Sequence, residues 1–407
     1  MSYGFYPLDT PVIESSEVLL AKAGGETEKQ IYRFYKVEND LSLRFDLTVP
    51  LAKYVASKHN DLVFPFKRYQ IGKVYRGERA QKGRFREFYQ CDIDVIGNEK
   101  LSLLYDAEIP SIIYDIFKKL DIGDFVIRIN NRKILTGFFE YEGLKNQITD
   151  VLRVIDKLEK IGLDNIKKEL EKIGLLHNQI ENIISFITIS GTVDEKIDAL
   201  SNLPIENRTF QEGLRELCLV VKNLKFMNVN NDNYDIDLTI ARGLDYYTGT
   251  VYETILKDYP SIGSVCSGVR YDNLASFYTE KKLPGVGISI VLTRLFYQLR
   301  QVNIIKQENN PVSDIIVLPL TENYEYIYSF VNILRGKNIK VDVVYLDKFK
   351  QLIKYADRQN VPYVLIIGDN EIEQGIAILK NMKTGEQIEV TFNNVLDVYK
   401  TKSFSIK

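Results

Sequence analysis

FKRYQIGKVYRGERAQKGRFREFYQCDIDVIG, residues Phe66 to Gly97, decides how the first domain folds. Two strand-like runs, FKRYQIGKVYR and FREFYQCDIDVIG, flank the polar segment Gly77 to Gly83, a pattern that predicts an antiparallel hairpin with a long loop. Between Tyr75 and Asp94 stand four arginines and a lysine, in a chain whose formal net charge is only -2, so the density is local. From Arg84 to Asp94, alternation puts Arg84, Arg86, Phe88, Gln90, Asp92 and Asp94 on one face. The opposite face, Phe85, Glu87, Tyr89, Cys91, Ile93 and Val95, is mostly apolar, and the partner run gathers Gln70, Gly72, Val74 and Arg76. Arginines towards the loop, with a carboxylate and an amide deeper down, suit a zwitterion joined to a phosphate chain. Arginine forks grip phosphoryl oxygens, while a carboxylate accepts from an ammonium or imidazole. A hairpin with solvated charges has the same alternation, so both readings stand at this level.

Outward from the hairpin, IESSEVLLAKAGG reads as a strand and a helix stopped by two glycines, and LSLRFDLTVPLAKYVASKH as a strand, a Pro-marked turn and a helix. An amphipathic helix over Ser102 to Leu120 and the strand FVIRIN follow. DVLRVIDKLEKIGLDNIKKELEKIGL then opens a helical stretch with apolar residues at i, i+3, i+4 and i+7. Strands resume at YDIDLTIARGLDYYTGTVYETIL, so the helices read as an insertion in an α+β domain built on an antiparallel sheet. After the linker QENNPVS, strands and helices alternate through SDIIVLPL, IKVDVVYL and PYVLIIG, predicting a buried parallel sheet. The division is therefore 1–143 for the first part of the core, 144–226 for the insertion, 227–306 for the second part, and 313–407 for an α/β domain.

Composition narrows the function. With 45% hydrophobic and 27% charged residues the chain reads as globular, and no apolar run reaches membrane-span length. Cys91, Cys218 and Cys266 lack metal-ligand spacing, which argues against a disulfide framework and for a reducing cytoplasm. His59 and His177 stand too far apart for a histidine metal site or triad, and no metal ligands are assigned. Near-neutral charge argues against wholesale electrostatic binding of nucleic acid. Two further stretches carry chemistry. ARGLDYYTGTVYE sets Arg242 and Asp245 beside Tyr246 and Tyr247, between glycines that allow close backbone approach. GVGISIVLTRL runs from a glycine-spaced strand into a helix whose first turn holds Arg294, near a helix N-terminus suited to phosphate.

In this order the pieces resemble the class II aminoacyl-tRNA synthetases, specifically the histidyl-tRNA synthetase family, over nearly the whole chain. YRGERAQKGRFREFYQCDIDVIG matches family motif 2 and GVGISIVLTRL matches motif 3. RGLDYY (Arg242 to Tyr247) and SGVRYDNL (Ser267 to Leu274) match the histidine-specific signatures, and RFDLTVP (Arg44 to Pro50) the segment that holds the α-amino group. The resemblance implies a class II catalytic sheet, a helical insertion domain and a C-terminal anticodon-binding domain. It implies a cytoplasmic homodimer that joins L-histidine to tRNA(His), with ATP as substrate and Mg2+. Arg76, Arg242 and Arg294 would be the catalytic cations. Asp46, Leu47, Thr48, Arg76, Gln90, Asp94, Arg242, Tyr246 and Tyr247 would bind histidine, with Asp94 and Tyr247 on the imidazole nitrogens. Arg76, Glu78, Arg84 and Arg294 would bind ATP.

Departures from the pattern set further expectations. The sequence starts at MSYGFYPLDTPVIE, whereas the family usually has a preceding strand and helix, which implies either a mis-assigned start or a reduced dimer interface. Val269 and Val291 stand where the family has glycines. A valine adds three carbons and loses access to positive φ, so either the pockets shrink by overpacking or their neighbours relax. The rival from another class is a catalytically weakened paralogue that senses histidine or tRNA, or regulates another enzyme. Retention of Arg76, Arg242, Arg294 and the last domain argues against it.

Overall fold

The computed structural model describes residues 3–20, 25–79, 83–240, 247–306, 310–346 and 348–401. The chain divides into two units, Met1–Ile305 and Lys306–Lys407. Strands of the first unit are β1 (Tyr6–Pro7), β2 (Ile13–Ser15), β3 (Arg33–Lys36), β4 (Asn39–Leu43), β5 (Phe66–Tyr75), β6 (Glu87–Ile96), β7 (Phe125–Asn131), β8 (Tyr234–Ile236), β9 (Thr250–Leu256), β10 (Cys266–Tyr271) and β11 (Gly285–Ile290). Its helices are α1 (Ser16–Leu20), α2 (Gly25–Gln30), α3 (Thr48–Ser57), α4 (Leu104–Leu120), α5 (Arg132–Tyr141), α6 (Ile148–Ile155), α7 (Leu158–Ile161), α8 (Leu163–Lys172), α9 (His177–Ile187), α10 (Val193–Ser201), α11 (Arg208–Phe226) and α12 (Leu292–Gln301).

Eight strands form the main sheet in the order β1-β5-β6-β11-β10-β9-β7-β8. The hairpin β5–β6 pairs Phe66 with Ile96 through Tyr75 with Glu87, and antiparallel pairing continues from β5 to β7. The sheet is nevertheless mixed, because the short edge strands β1 and β8 pair in parallel with β5 and β7. Long connections reach both edges, which parallel pairing requires. A second sheet, β2-β4-β3, contains the strands expected in IESSEVLLAKAGG and LSLRFDLTVPLAKYVASKH together with β3, which has no counterpart in the pattern reading. Strand β6 begins at Glu87, so Arg84 and Arg86 belong to the loop rather than to the strand face.

Two local expectations shift for identifiable reasons. Pro50 sits inside α3 rather than marking a turn before it, since a proline in the first helical turn forfeits no intrahelical bond. Helix α1 ends at Leu20, and Gly25 opens α2 instead of stopping a helix; Gly24, the other glycine of the expected stop, lies outside the described residues. One face of the main sheet is covered by helices: Ile109, Ile113 and Phe117 of α4 join Val95, Val286 and Ile288 in one buried cluster. The same cluster continues through Phe139 into Ile166, Ile183 and Leu217, so α5 to α11 share the sheet's core. The opposite face carries the polar residues described below.

The second unit has strands β12 (Ile315–Leu320), β13 (Val341–Val343), β14 (Tyr363–Gly368), β15 (Ala377–Asn381) and β16 (Gln387–Val390), with helices α13 (Tyr324–Arg335), α14 (Phe349–Arg358), α15 (Asp369–Glu373) and α16 (Val395–Thr401). The order is β13-β12-β14-β15-β16. The first three are parallel, as their apolar runs predict, whereas β15 and β16 add an antiparallel edge. Beyond the carboxyl ends of β12 and β13, Tyr324, Tyr328, Tyr345 and Phe349 are exposed. The Tyr328 and Tyr345 hydroxyls lie 3.0 Å apart, and the Tyr324 and Tyr345 rings meet edge to face at 5.9 Å.

Candidate active site

Cross-strand register builds the site as adjacent rows on the uncovered face. One row runs Arg68, Asp94, Gly287, Val269 across β5, β6, β11 and β10. The next runs Gln70, Asp92, Ser289, Ser267. In the first row Arg68, fully buried, places Nη2 at 2.7 Å from Asp94 Oδ2 and donates to the Leu47 carbonyl at 3.0 Å. The Tyr271 hydroxyl donates to Asp94 Oδ1 at 2.7 Å. Gly287 is indispensable here: a Cβ would lie 2.2 Å from Asp94 Oδ1 and 2.5 Å from the Ile93 carbonyl. Gln90, one step beyond the second row along β6, donates to the hydroxyl of Ser289 in that row at 2.7 Å.

Burial controls the charges of this floor. It raises Asp92 to about 7, against the nearby Arg68 cation, and raises Asp94 against the same cation. Asp46, at the entry to α3, is also raised by burial, although the Val49 and Thr48 amides pull it down. Its Oδ1 accepts from those amides at 2.9 and 3.0 Å, capping the helix. Tyr247 is pushed up to about 12 by burial, so its hydroxyl keeps its proton.

Two cavities open on this face. The first, about 120 Å3, is lined by Asp46, Thr48, Arg76, Gln90, Asp92, Asp94, Tyr247, Val269 and Tyr271, among others. The second, about 190 Å3, is lined by Arg76, Glu78, Gly83, Arg84, Phe85, Phe88, Val291 and Arg294. Arg76 belongs to both. Its Nε donates to the Phe45 carbonyl at 3.2 Å, and its guanidinium lies 4.3 Å from the Phe45 ring centre and 5.2 Å from that of Phe88. In the second cavity Arg84 pairs with Glu78 at 3.2 Å, and Arg294 donates to the Ile262 carbonyl at 3.0 Å. Thr293, beside it, accepts from the Tyr89 amide at 2.8 Å and ties α12 to β6.

The sequence-derived residues thus fall on two cavities, with three exceptions. Leu47 lines neither cavity: its side chain is buried with Val74 and Phe88, and it contributes its carbonyl to Arg68 instead. Arg242 and Tyr246 lie outside the described residues. Both valines line cavities, Val269 the first and Val291 the second. Neither has positive φ, so the conformational part of the expected penalty is absent. Arg68, Tyr271 and Ser289 carried no role in the sequence reading. Tyr271 stands inside SGVRYDNL and so had a signal, whereas Arg68 becomes meaningful only through the register that sets it opposite Asp94.

A carboxylate-floored cavity and a cation-lined cavity joined by one arginine, on a mainly antiparallel sheet followed by an α/β unit, define a class II aminoacyl-tRNA synthetase with an anticodon-binding domain. The family model described as Histidyl-tRNA synthetase matches residues 1–295, and the one described as Anticodon binding domain matches residues 314–402. The chain belongs to the histidyl-tRNA synthetase family. It is 57% identical to the histidine–tRNA ligase of Clostridium tetani, covering 98% of this chain and 91% of that protein. It is 50% identical to that of Finegoldia magna, covering 97% and 92%. Among solved structures it resembles the histidyl-tRNA synthetase from Nostoc sp. PCC 7120, with TM-score 0.80, 41% identity and coverage of 99% and 92%. A Bacillus halodurans protein described as an ATP phosphoribosyltransferase regulatory subunit/histidyl-tRNA synthetase shares the fold, at TM-score 0.72 and 18% identity.

Proposed function

We propose that the chain activates histidine with ATP to histidyl-adenylate and transfers the histidyl group to tRNA(His). The observation that carries this reading is Arg76, common to a cavity floored by carboxylates and a cavity lined by cations. That is where a substrate carboxylate and the α-phosphate of ATP have to meet. Attack of one anion on another needs cations in place before bonds change, so the chemistry is positioning and electrostatics. Arg76 holds both reacting groups, and Arg242 supplements it at the α-phosphate. Arg294 clamps the γ-phosphate, and Glu78 and Arg84 face the adenine and outer phosphates. Asp46, Thr48 and Gln90 hold the α-amino group, while Asp94 and Tyr247 meet the imidazole nitrogens.

Among the described residues no group of three or more histidines, cysteines or carboxylates could hold a metal ion by itself. Glu78 on the second cavity fits Mg2+ arriving with ATP, an ion that keeps phosphate and water ligands and takes few from protein. Bound there, it would neutralise charge on the outer phosphates. The anticodon-binding match supports tRNA as the acceptor. The same reading takes residues 1–143 and 227–306 as the catalytic core, 144–226 as the insertion domain and 313–407 as the anticodon-binding domain. It places the enzyme in the cytoplasm as a homodimer. In support, Ile13, Tyr35 and Val37 at the small sheet are exposed, and no described helix is long and apolar enough to cross a membrane.

Histidine-dependent exchange between ATP and pyrophosphate tests the proposal. Exchange with histidine alone among the twenty amino acids is expected; exchange with none, at saturating ATP, refutes it and leaves the regulatory reading.

A further inference from the structure

Gly287 leaves the floor of the first cavity open, and the side chain that closes it on the next strand is a valine. Across β6, β11 and β10 the row runs Asp94, Gly287, Val269, so Asp94 and Val269 flank the glycine from strands about 10 Å apart. Both line the first cavity. Asp94 reaches inward over Gly287, where a Cβ would lie 2.2 Å from its Oδ1, so the next side chain along the row from the carboxylate is Val269. On its far side Val269 pairs with Val251 of β9. It is 8% exposed and belongs with Val251 and Tyr271 to the buried cluster against which Tyr247 packs. A close-packed cluster gives it nowhere to retreat, and a β-branched side chain has few rotamers, so Val269 is a fixed apolar wall.

We propose that Val269 is a specificity-determining residue that limits the cavity to an imidazole unsubstituted at the carbon between its two nitrogens. This rests on histidine being the substrate and on Asp94 and Tyr247 meeting its ring nitrogens. When two residues hold the two nitrogens, the carbon between those nitrogens points into the gap between the holders. Val269 borders both: it shares a row with Asp94 and an apolar cluster with Tyr247. Its methyl groups therefore face that carbon. A hydrogen there packs against the valine, whereas a methyl group must push the wall aside or draw the ring away from Asp94. The polar partners cannot make this distinction, because a methyl on the carbon leaves both nitrogens able to bond. Asp94 and Tyr247 thus reject rings that lack the nitrogens, and Val269 rejects rings that keep them but are too large. One carbon more in an apolar pocket is worth about 10- to 200-fold in kcat/KM.

The test is pyrophosphate exchange by the parent, Val269→Ala and Val269→Gly with histidine, with 2-methylhistidine and with the isomer methylated on the other ring carbon. For the parent, kcat/KM for 2-methylhistidine should lie at least about 30-fold below that for histidine. Val269→Ala should narrow that gap about tenfold and Val269→Gly further, while kcat/KM for histidine itself falls about three- to tenfold as the ring loses packing. The gap for the other isomer should stay within about twofold in every variant. A parent that uses 2-methylhistidine as well as histidine overturns the inference, as does a gap unchanged in both variants. Equal relief for both isomers also overturns it, since that is a general loosening of the cavity. If Val269→Gly fails to fold, Val269→Ala, which removes only two methyl groups, decides; failure of both marks the valine as structural and ends the inference. A parent with no histidine-dependent exchange removes the functional reading, and this inference with it; a parent with exchange and an unchanged gap in the variants removes this inference alone.

Discussion

Arg68→Met removes the cation on which Asp94 depends. The ion pair spans 2.7 Å between side chains 0% and 4% exposed, so solvent does not screen it. Breaking such a pair from one side leaves a buried charge and costs about 3–5 kcal/mol, to which the lost donor of the Leu47 carbonyl adds about 1 kcal/mol. The size of the loss should depend on pH. Burial already raises Asp94, with Asp46 adding to the rise and Arg68 and Tyr271 opposing it, so without Arg68 it rises further. A carboxyl raised in the fold binds its proton more tightly folded than unfolded. Stability therefore falls as pH climbs from the unfolded value to the folded one, and the penalty is complete only above the latter. Relative to the parent, the variant's deficit should shrink as pH falls through the raised folded-state value of Asp94, by up to about 1.4 kcal/mol for each unit. Urea unfolding of parent and variant as a function of pH measures the difference. A deficit independent of pH, or none, would show that Asp94 is not held ionised by Arg68.

Three other perturbations probe separate parts of the site. Gly287→Ala brings a Cβ to 2.2 Å from Asp94 Oδ1, which should cost about 1–3 kcal/mol in urea unfolding and lower kcat/KM for histidine at least tenfold. Unaltered unfolding would contradict the packing described here. Val269→Gly with Val291→Gly should lower stability by about 1–3 kcal/mol, because both valines are packed and neither is strained, while exchange proceeds in parent and variant alike. Exchange present only in the double variant would show that the valines block the pockets. Tyr345→Ala should weaken tRNA binding by about 1–3 kcal/mol if the exposed tyrosines stack on bases, with tRNA-free exchange unaffected. An unchanged KM for tRNA in aminoacylation would exclude that surface.

The hairpin was legible because β5 and β6 are long, alternate cleanly, and are joined by a polar glycine-bounded segment. The edges of the sheet were not, because β1 has two residues and β8 three, too short for any period to register. Arg84 and Arg86 extend the alternation of β6 in sequence, yet the paired strands stop at Glu87, with one further bond from the Arg76 amide to the Arg86 carbonyl at 2.9 Å. Periodicity cannot show where regular pairing ends. In the second unit the apolar runs announced the parallel strands, while AILKN and QIEV, with polar residues in them, hid the antiparallel edge.

The candidate site shows the same division between what a strand states about itself and what its neighbours add. Alternation alone places Gln90, Asp92 and Asp94 on one face, but it cannot say which side chains of neighbouring strands meet them. That depends on three other strands: Arg68 arrives from β5, Tyr271 from β10, and the space between them exists because β11 offers Gly287. The valine departures resolve on the same ground. Val269 lies in the row of Asp94 and Gly287, where the required glycine is Gly287, and at Gly268 a Cβ would strike Ile288 at 2.3 Å. With glycine kept at both of those points and valine at an unstrained extended position, the backbone needs of the floor are met. What Val269 changes is the width of the cavity beside Asp94, so its effect should fall on which ring fits rather than on whether the sheet forms.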